Sequence, residues 1–297
     1  MNNSKELQVI NKNNHVEQIK SAAWMSLSKE SQKAYQSDFK LFFDFIQKDP
    51  KKIGADDIIG YINHLEEKGF KNSTINRKIA SLSKMFKVMN IAGEIKINPI
   101  DVLKQFKNIS RKVSKEKHVS LTLKEIKKAT KITKKSTKFD KRTSIIIRML
   151  ARSGLRISEF INIKHKDIVE YNEVSKKVRI VGKGKKERFI FIQNDFLEEV
   201  YEIFPCSKNI EYLFYNMINN KYNRVSLYRQ IRKFFKKTIN KDVHPHKLRH
   251  WFFTHKISVE KKDIKAVSKY GGHSSVSTTL DMYVDTTLDS KDSKIKI

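Results

Sequence analysis

Over the first hundred positions, apolar residues recur with the 3.6-residue period of helices that bury one face. Tyr35, Phe39, Phe42, Phe43 and Ile46 form the first such stripe, and Ile58, Tyr61, Ile62 and Leu65 the second, with Gly69 placed for a left-handed C-terminal cap. A third stripe runs through Ile75, Ile79, Leu82, Phe86 and Met89, with Ser73 expected as its N-cap and Arg77, Lys78, Lys84 and Lys87 on its other faces. Asn98-Pro99 opens a fourth, short helix, Asn as cap and Pro in the first turn. No strand pattern interrupts these four, so residues 23–103 predict a small all-helical domain with basic polar faces. Residues 1–22 are polar and patternless, a flexible arm. Residues 104–118 lack periodicity and are rich in Lys and Arg, which predicts a basic linker.

A second domain, 119–297, opens with Thr122 as a hydroxyl cap before Leu123, Ile126 and Ala129. Residues 143–151 are nearly all apolar between their ends, as a core helix requires. Gly154 breaks that helix, and a new one is expected near Leu155, with Arg156 and Glu159 close to its start. One region reads as β: Val178 and Ile180, then residues 187–192, flank the turn Gly182-Lys183-Gly184-Lys185-Lys186, a hairpin with lysines at its tip. Helical spacing resumes over 196–203 and 225–239, and a polar tail follows Tyr283. The fold class is therefore mainly α with a small β-hairpin or sheet, an α+β chain in two domains.

Charge narrows the partner. Against 32 Asp and Glu stand 62 Lys and Arg, a formal +30 over 297 residues, which favours a polyanion such as double-stranded DNA over a membrane. A codon bias toward Lys, Asn and Ile would raise the same count, so the charge needs motifs beside it. Cys206 is the single cysteine, which excludes an internal disulfide or a multi-cysteine zinc site and fits the cytoplasm. No run of about 18 apolar residues is present to span a membrane.

His246 and Arg249 lie three residues apart, and on a helix they share a face: an imidazole that moves protons beside a guanidinium that grips phosphate. That pairing suits phosphoryl transfer. The run ARSGLRISE over 151–159, the Gly182-Lys183-Gly184 turn, His246 with Arg249, Gly272-His273 and Tyr283 together resemble the tyrosine recombinase (phage integrase) family, in order and in spacing. The likeness covers residues 22–285. It implies an N-terminal core-binding domain that holds DNA and a C-terminal tyrosine-recombinase catalytic domain.

The resemblance implies attack on a DNA phosphodiester by Tyr283, leaving a 3′-phosphotyrosyl link that rejoins without metal, nucleotide or other cofactor. Arg156 and Arg249 would then hold the non-bridging oxygens, and His246 would accept or steer the tyrosine proton. Lys183 would protonate the leaving 5′ oxygen, His273 would hydrogen-bond the phosphate, and Glu159 would orient His246 or Arg156 from behind. His244, His250 and His255 crowd the region, but with two arginines supplying the positive charge no metal is expected. Arg77, Lys78, Lys84, Lys87, Arg111, Lys112 and Lys185 are the expected DNA contacts, with a homo- or hetero-tetramer assembled on the recombination site. Tyr270-Gly271 stands where Xer-type members carry two leucines, and Tyr283 lies ten residues beyond His273, as in mobile-element integrases. A single core-binding domain without an arm-binding domain leans instead toward a simple Xer-like site-specific recombinase. The other readings are an idle DNA-binding accessory protein of the same fold and a topoisomerase-like relaxing enzyme.

Overall fold

The computed structural model describes residues 29–106, 110, 121–182, 184, 186–273 and 275–283. The chain forms two compact units that divide between Glu116 and Lys117. The arm expected over 1–22 lies outside the described residues.

The first unit consists of α1 (Lys29–Ile46), α2 (Ala55–Glu67), α3 (Asn72–Ile91) and α4 (Pro99–Phe106). Its core is built from the periodic apolar positions of the sequence, centred on fully buried Phe42, whose ring meets Tyr61 edge-on at 4.9 Å and Phe86 at 6.2 Å. Helix α2 starts where the Asp57 carboxylate accepts the Gly54 N–H at 3.0 Å. It stops at Gly69, whose φ of 72° lets the Phe70 N–H turn back to the Leu65 carbonyl at 3.0 Å. Helix α3 begins at Asn72, ahead of Ser73. The Lys71 carbonyl accepts from Thr74 and Ile75, so Lys71 is the cap and Ser73 is not. Asn98 caps α4 by accepting the Ile100 N–H at 3.0 Å. That helix continues through Phe106, so positions 104–106 of the expected linker are helical; residues 107–109 and 111–120, with Arg111 and Lys112, lie outside the described residues.

The basic face of α3 needs a correction. Lys78 is only 5% exposed, and its ammonium pairs with Asp38 at 3.0 Å inside the core, so it is not a solvent-facing DNA contact. Asp38 is itself buried, gripped by both terminal nitrogens of the Arg77 guanidinium, by Lys78 and by the Ser81 hydroxyl. Burial alone would push the Asp38 carboxyl up, but the hydrogen bonds from Arg77 and Lys78 outweigh it and hold the carboxyl below its ordinary value. A buried charge without its partner costs about 3–5 kcal/mol, so the two cations beside Asp38 serve the fold. Lys84 is half-buried and Lys87 exposed.

The second unit is assembled around α6 (Lys138–Ser153), preceded by α5 (Leu123–Ala129) and followed by the single turn α7 (Ile157–Phe160). Thr122 and Glu125 close a reciprocal cap at the start of α5, with backbone-to-side-chain bonds of 3.2 and 3.0 Å. The residues Ile145, Ile146, Ile147, Met149 and Leu150 of α6 are all buried. An antiparallel sheet of β1 (Ile168–Asn172), β2 (Ser175–Val181) and β3 (Glu187–Gln193) lies in the order β1-β2-β3, with Val178 opposite Ile190 and Ile180 opposite Arg188. Sequence periodicity predicts β2 and β3 but not β1, whose side chains are mostly exposed and so carry no alternating apolar signal.

Helices α8 (Asn194–Ile203), α9 (Arg224–Ile239), α10 (Pro245–Thr254), α11 (Ile264–Gly271) and α12 (Val276–Tyr283) complete the unit. Leu227, Ile231, Phe234 and Phe235 of α9 face the core. Two glycines let α10 close onto its neighbours. A Cβ at Gly154, which ends α6 with φ 61°, would lie 2.3 Å from the Phe252 ring, and one at Gly271 would lie 2.3 Å from Phe253. Among the described residues, no helix is long and apolar enough to cross a membrane.

Candidate active site

Arg156 stands just ahead of α7 as its cap residue rather than within a helix, with an extended backbone of φ −70° and ψ 146°. Its N–H donates to Glu159 Oε2 at 2.9 Å, while Nη1 donates to Glu159 Oε1 at 3.0 Å and Nη2 to the Gly272 carbonyl at 3.3 Å. Its side chain remains 41% exposed, so guanidinium edge is left for a ligand.

Arg249, on α10, is 1% exposed. It donates through Nη1 to the Gly154 carbonyl and through Nη2 to the Gly271 carbonyl at 2.8 Å and to His273 Nε2 at 2.7 Å, with its guanidinium 4.8 Å from the Phe253 ring. Burial, then the positive field of Arg156, pull its pKa down to about 9, which still leaves it charged at neutral pH. Both arginines thus converge on the segment 271–273.

His273 fixes the next link. Arginine can only donate, so Nε2 of His273 accepts from Arg249, and the ring proton sits on Nδ1, which donates to Thr279 Oγ1 at 2.7 Å. Burial first, then Arg249, Arg156 and Arg188, push the His273 pKa down to about 4, so the imidazole is neutral. In this tautomer Nε2 has no proton to offer a phosphate. Thr279 is fully buried on α12, one helical turn before Tyr283. The backbone of Tyr283 ends α12; its side chain lies outside the described residues.

His246 is exposed, three residues ahead of buried Arg249 on α10, and its ring meets that of His250 edge-on at 5.6 Å. Lys183 and Lys185 lie outside the described residues. Their turn nevertheless has a known base: the Gly182 N–H donates to the Lys186 carbonyl at 2.8 Å, and a Cβ on Gly182 would sit 3.6 Å from both Glu159 Oε1 and Arg188 Nη1.

Arg188 has no counterpart among the residues expected from the sequence. Its Nη1 and Nη2 donate to the two Glu159 oxygens at 3.0 and 2.8 Å, and its Nε donates to the Tyr270 carbonyl at 2.8 Å. Burial would raise the Glu159 carboxyl, but the hydrogen bonds from Arg188 and the Arg156 backbone prevail and hold it below the usual range. The signal was present in the strand. Arg188 shares the inward register of β3 with buried Ile190 and Ile192, an inward charge that needs a partner. Thr279 gave no such signal.

Three guanidiniums therefore surround one carboxylate and one neutral imidazole. The surplus positive charge suits a phosphodiester. Among the described residues, no group of three or more His, Cys, Asp or Glu side chains is placed to hold a metal ion.

Comparison with known proteins agrees with this chemistry. Residues 119–289 match the model of the phage integrase family, and residues 23–90 match the phage integrase N-terminal SAM-like domain. The tyrosine recombinase XerC of Staphylococcus carnosus strain TM300 is 30% identical over 263 residues, 85% of each chain. A Staphylococcus aureus protein of the same name is 30% identical over 268 residues, covering 86% of this chain and 85% of its own. In fold, the chain is similar to a lambda integrase fragment solved as a dimer bound to a COC′ core site, with a TM-score of 0.73 and 16% identity over 95% of this chain and 97% of that one. It is also similar to the XerH site-specific recombinase bound to a palindromic difH substrate, with a TM-score of 0.69 and 20% identity over 86% and 76% of the two chains. With the catalytic-domain model matched across more than half its length and relatives at 30% identity over most of it, the chain belongs to the phage integrase family.

Proposed function

We propose that this protein is a site-specific DNA recombinase that cleaves and rejoins strands through a 3′-phosphotyrosyl intermediate. The observation that carries the reading is the convergence of Arg156 and Arg249 on residues 271–273, with His273 tied through Thr279 to the helix that ends in Tyr283. The Tyr283 hydroxyl attacks the phosphorus, His246 takes its proton, and the 5′ oxygen leaves with a proton from Lys183. Arg156 and Arg249 carry the charge that gathers on the two non-bridging oxygens, and an entering phosphate competes with the carbonyl and imidazole partners they hold in the free protein. His273 donates to the phosphate only after its Nε2 gains a proton, which the added negative charge favours. Reversal by a 5′ hydroxyl restores the diester, so the bond energy is kept and no cofactor is consumed.

Duplex DNA is the partner, contacted by Lys84, Lys87, Arg111, Lys112, Lys185 and the free edge of Arg77. Two protomers on each site and four in the synapse are the working assembly; lambda integrase has been solved as a dimer on a core site and as a tetramer on a Holliday junction. The compartment is the cytoplasm, where the DNA is. The test starts from a duplex selected by the protein out of a random library. Nicked so that the cleaved end diffuses away, that duplex traps a denaturant-resistant complex with the wild type, and Tyr283→Phe abolishes the complex while binding persists. A Tyr283→Phe protein that still traps DNA would assign the nucleophile elsewhere.

A further inference from the structure

We propose that Arg188 is a positioning residue of this site, one that sets the aim of both phosphate-binding arginines without touching the phosphate itself. The inference rests on the recombinase reading above. An arginine on the inward face of β3, with a side chain only 13% exposed, must find partners, and it finds two elements at once. Its two terminal nitrogens take both oxygens of Glu159 in a fork, and its Nε takes the Tyr270 carbonyl. Three of its five N–H groups are thus used within the protein, one on each nitrogen, and with so little of the side chain exposed the guanidinium is turned toward the protein rather than toward DNA.

What Arg188 holds explains what it does. Both Glu159 oxygens are shared, Oε1 between Arg188 Nη1 and Arg156 Nη1, and Oε2 between Arg188 Nη2 and the Arg156 N–H. With Arg188 in place, the carboxylate can give Arg156 only one side-chain contact, so the rest of that guanidinium stays available. Without Arg188, Glu159 is free to rotate and take Arg156 in a two-point pair, which would draw it off the phosphate. The bond to Tyr270 acts on the other arginine. The Tyr270 carbonyl directly precedes Gly271, whose carbonyl orients Arg249, and a Cβ on Gly272 would come within 3.1 Å of Arg188. The hairpin base at Gly182 adjoins the same pair, so one side chain registers β3, the start of α7 and the end of α11.

The test compares wild type, Arg188→Lys, Arg188→Met, Glu159→Gln and the Met/Gln double variant on the selected nicked duplex. Duplex Kd, thermal midpoint and the single-turnover cleavage rate at saturating protein are measured for each. Lysine keeps the charge but not the fork, so Arg188→Lys should retain its fold and a Kd within about threefold while cleaving about 30-fold or more slowly. A 5′-bridging phosphorothiolate, whose sulfur leaves without a proton, should not restore that rate, because the defect lies at the phosphate and not at the leaving group. The double variant should cleave no more slowly than Arg188→Met alone, as expected of residues acting through one another. Arg188→Lys cleaving within about threefold of wild type, phosphorothiolate rescue, or losses that multiply in the double variant would each overturn the proposal. Should Arg188→Met fail to fold, the cycle is run with Arg188→Lys. A wild type that forms no covalent complex would defeat the recombinase reading instead.

Discussion

His273 shows how much one residue's setting decides. Its ordinary pKa is 6.5, and in the folded protein it falls to about 4, because the ring is packed against Phe253 and faces Arg249, Arg156 and Arg188. Between those two values the unfolded chain binds a proton that the folded chain refuses. Stability is therefore full above pH 6.5 and declines as pH falls through the window toward 4. His165 and His244, both held down by burial first, act in the same direction. Replacing His273 with Gln should remove its share, reducing the loss of unfolding free energy between pH 7 and pH 4.5 by about 1–3 kcal/mol, as read by denaturant titration at each pH. An unchanged acid limb would mean that His273 titrates near its ordinary value.

At the scale of elements, the site depends on how closely α10 and α11 approach. The Phe253 ring lies against both Arg249 and His273, at 4.8 Å in each case, and the place where a Gly271 side chain would begin is already filled by that ring. Gly271→Ala should therefore cost about 1–3 kcal/mol through overpacking and should slow cleavage, since the Gly271 carbonyl is one of the groups that orient Arg249. Trimming the opposing ring tests the cause. Gly271→Ala combined with Phe253→Leu should regain stability relative to Gly271→Ala alone in thermal unfolding, whereas a double variant that loses the sum of the two single costs would place the strain elsewhere.

For the whole molecule, the +30 charge is spread over both units and the segment between them, so the proposed binding to DNA is expected to draw on the full chain. With about eight to ten phosphates neutralised, log K should fall against log salt with a slope of roughly −7 to −9. Residues 118–297 alone, still carrying the catalytic groups, should give a markedly shallower slope in anisotropy titrations. Equal slopes would confine the phosphate contacts to the second unit. Lys78 does not count toward that total, because Asp38 holds it inside the first unit.

What the sequence determined by itself was local or repetitive. The helical stripes, the stop at Gly69, the caps at Asn98 and Thr122, and the strands around Gly182 follow from spacing and backbone preference over a few residues, which the chain enforces wherever it folds. Arg156, His246, Arg249, His273 and Tyr283 were equally legible as candidates, because the chemistry proposed for them calls for particular side-chain types in a particular order. Tertiary structure alone decided which cations face outward. Lys78 and Lys87 read alike on α3, yet the first points at Asp38 forty residues earlier, and a contact at that separation has no local signature. The same holds for Thr279, for the tautomer of His273 and for the partners of Arg188, whose inward place on β3 was legible although what it meets there was not. Each is set by partners brought in from other elements: Glu159 and Tyr270 for the arginine, His273 for the threonine, and the donor-only Arg249 for the imidazole.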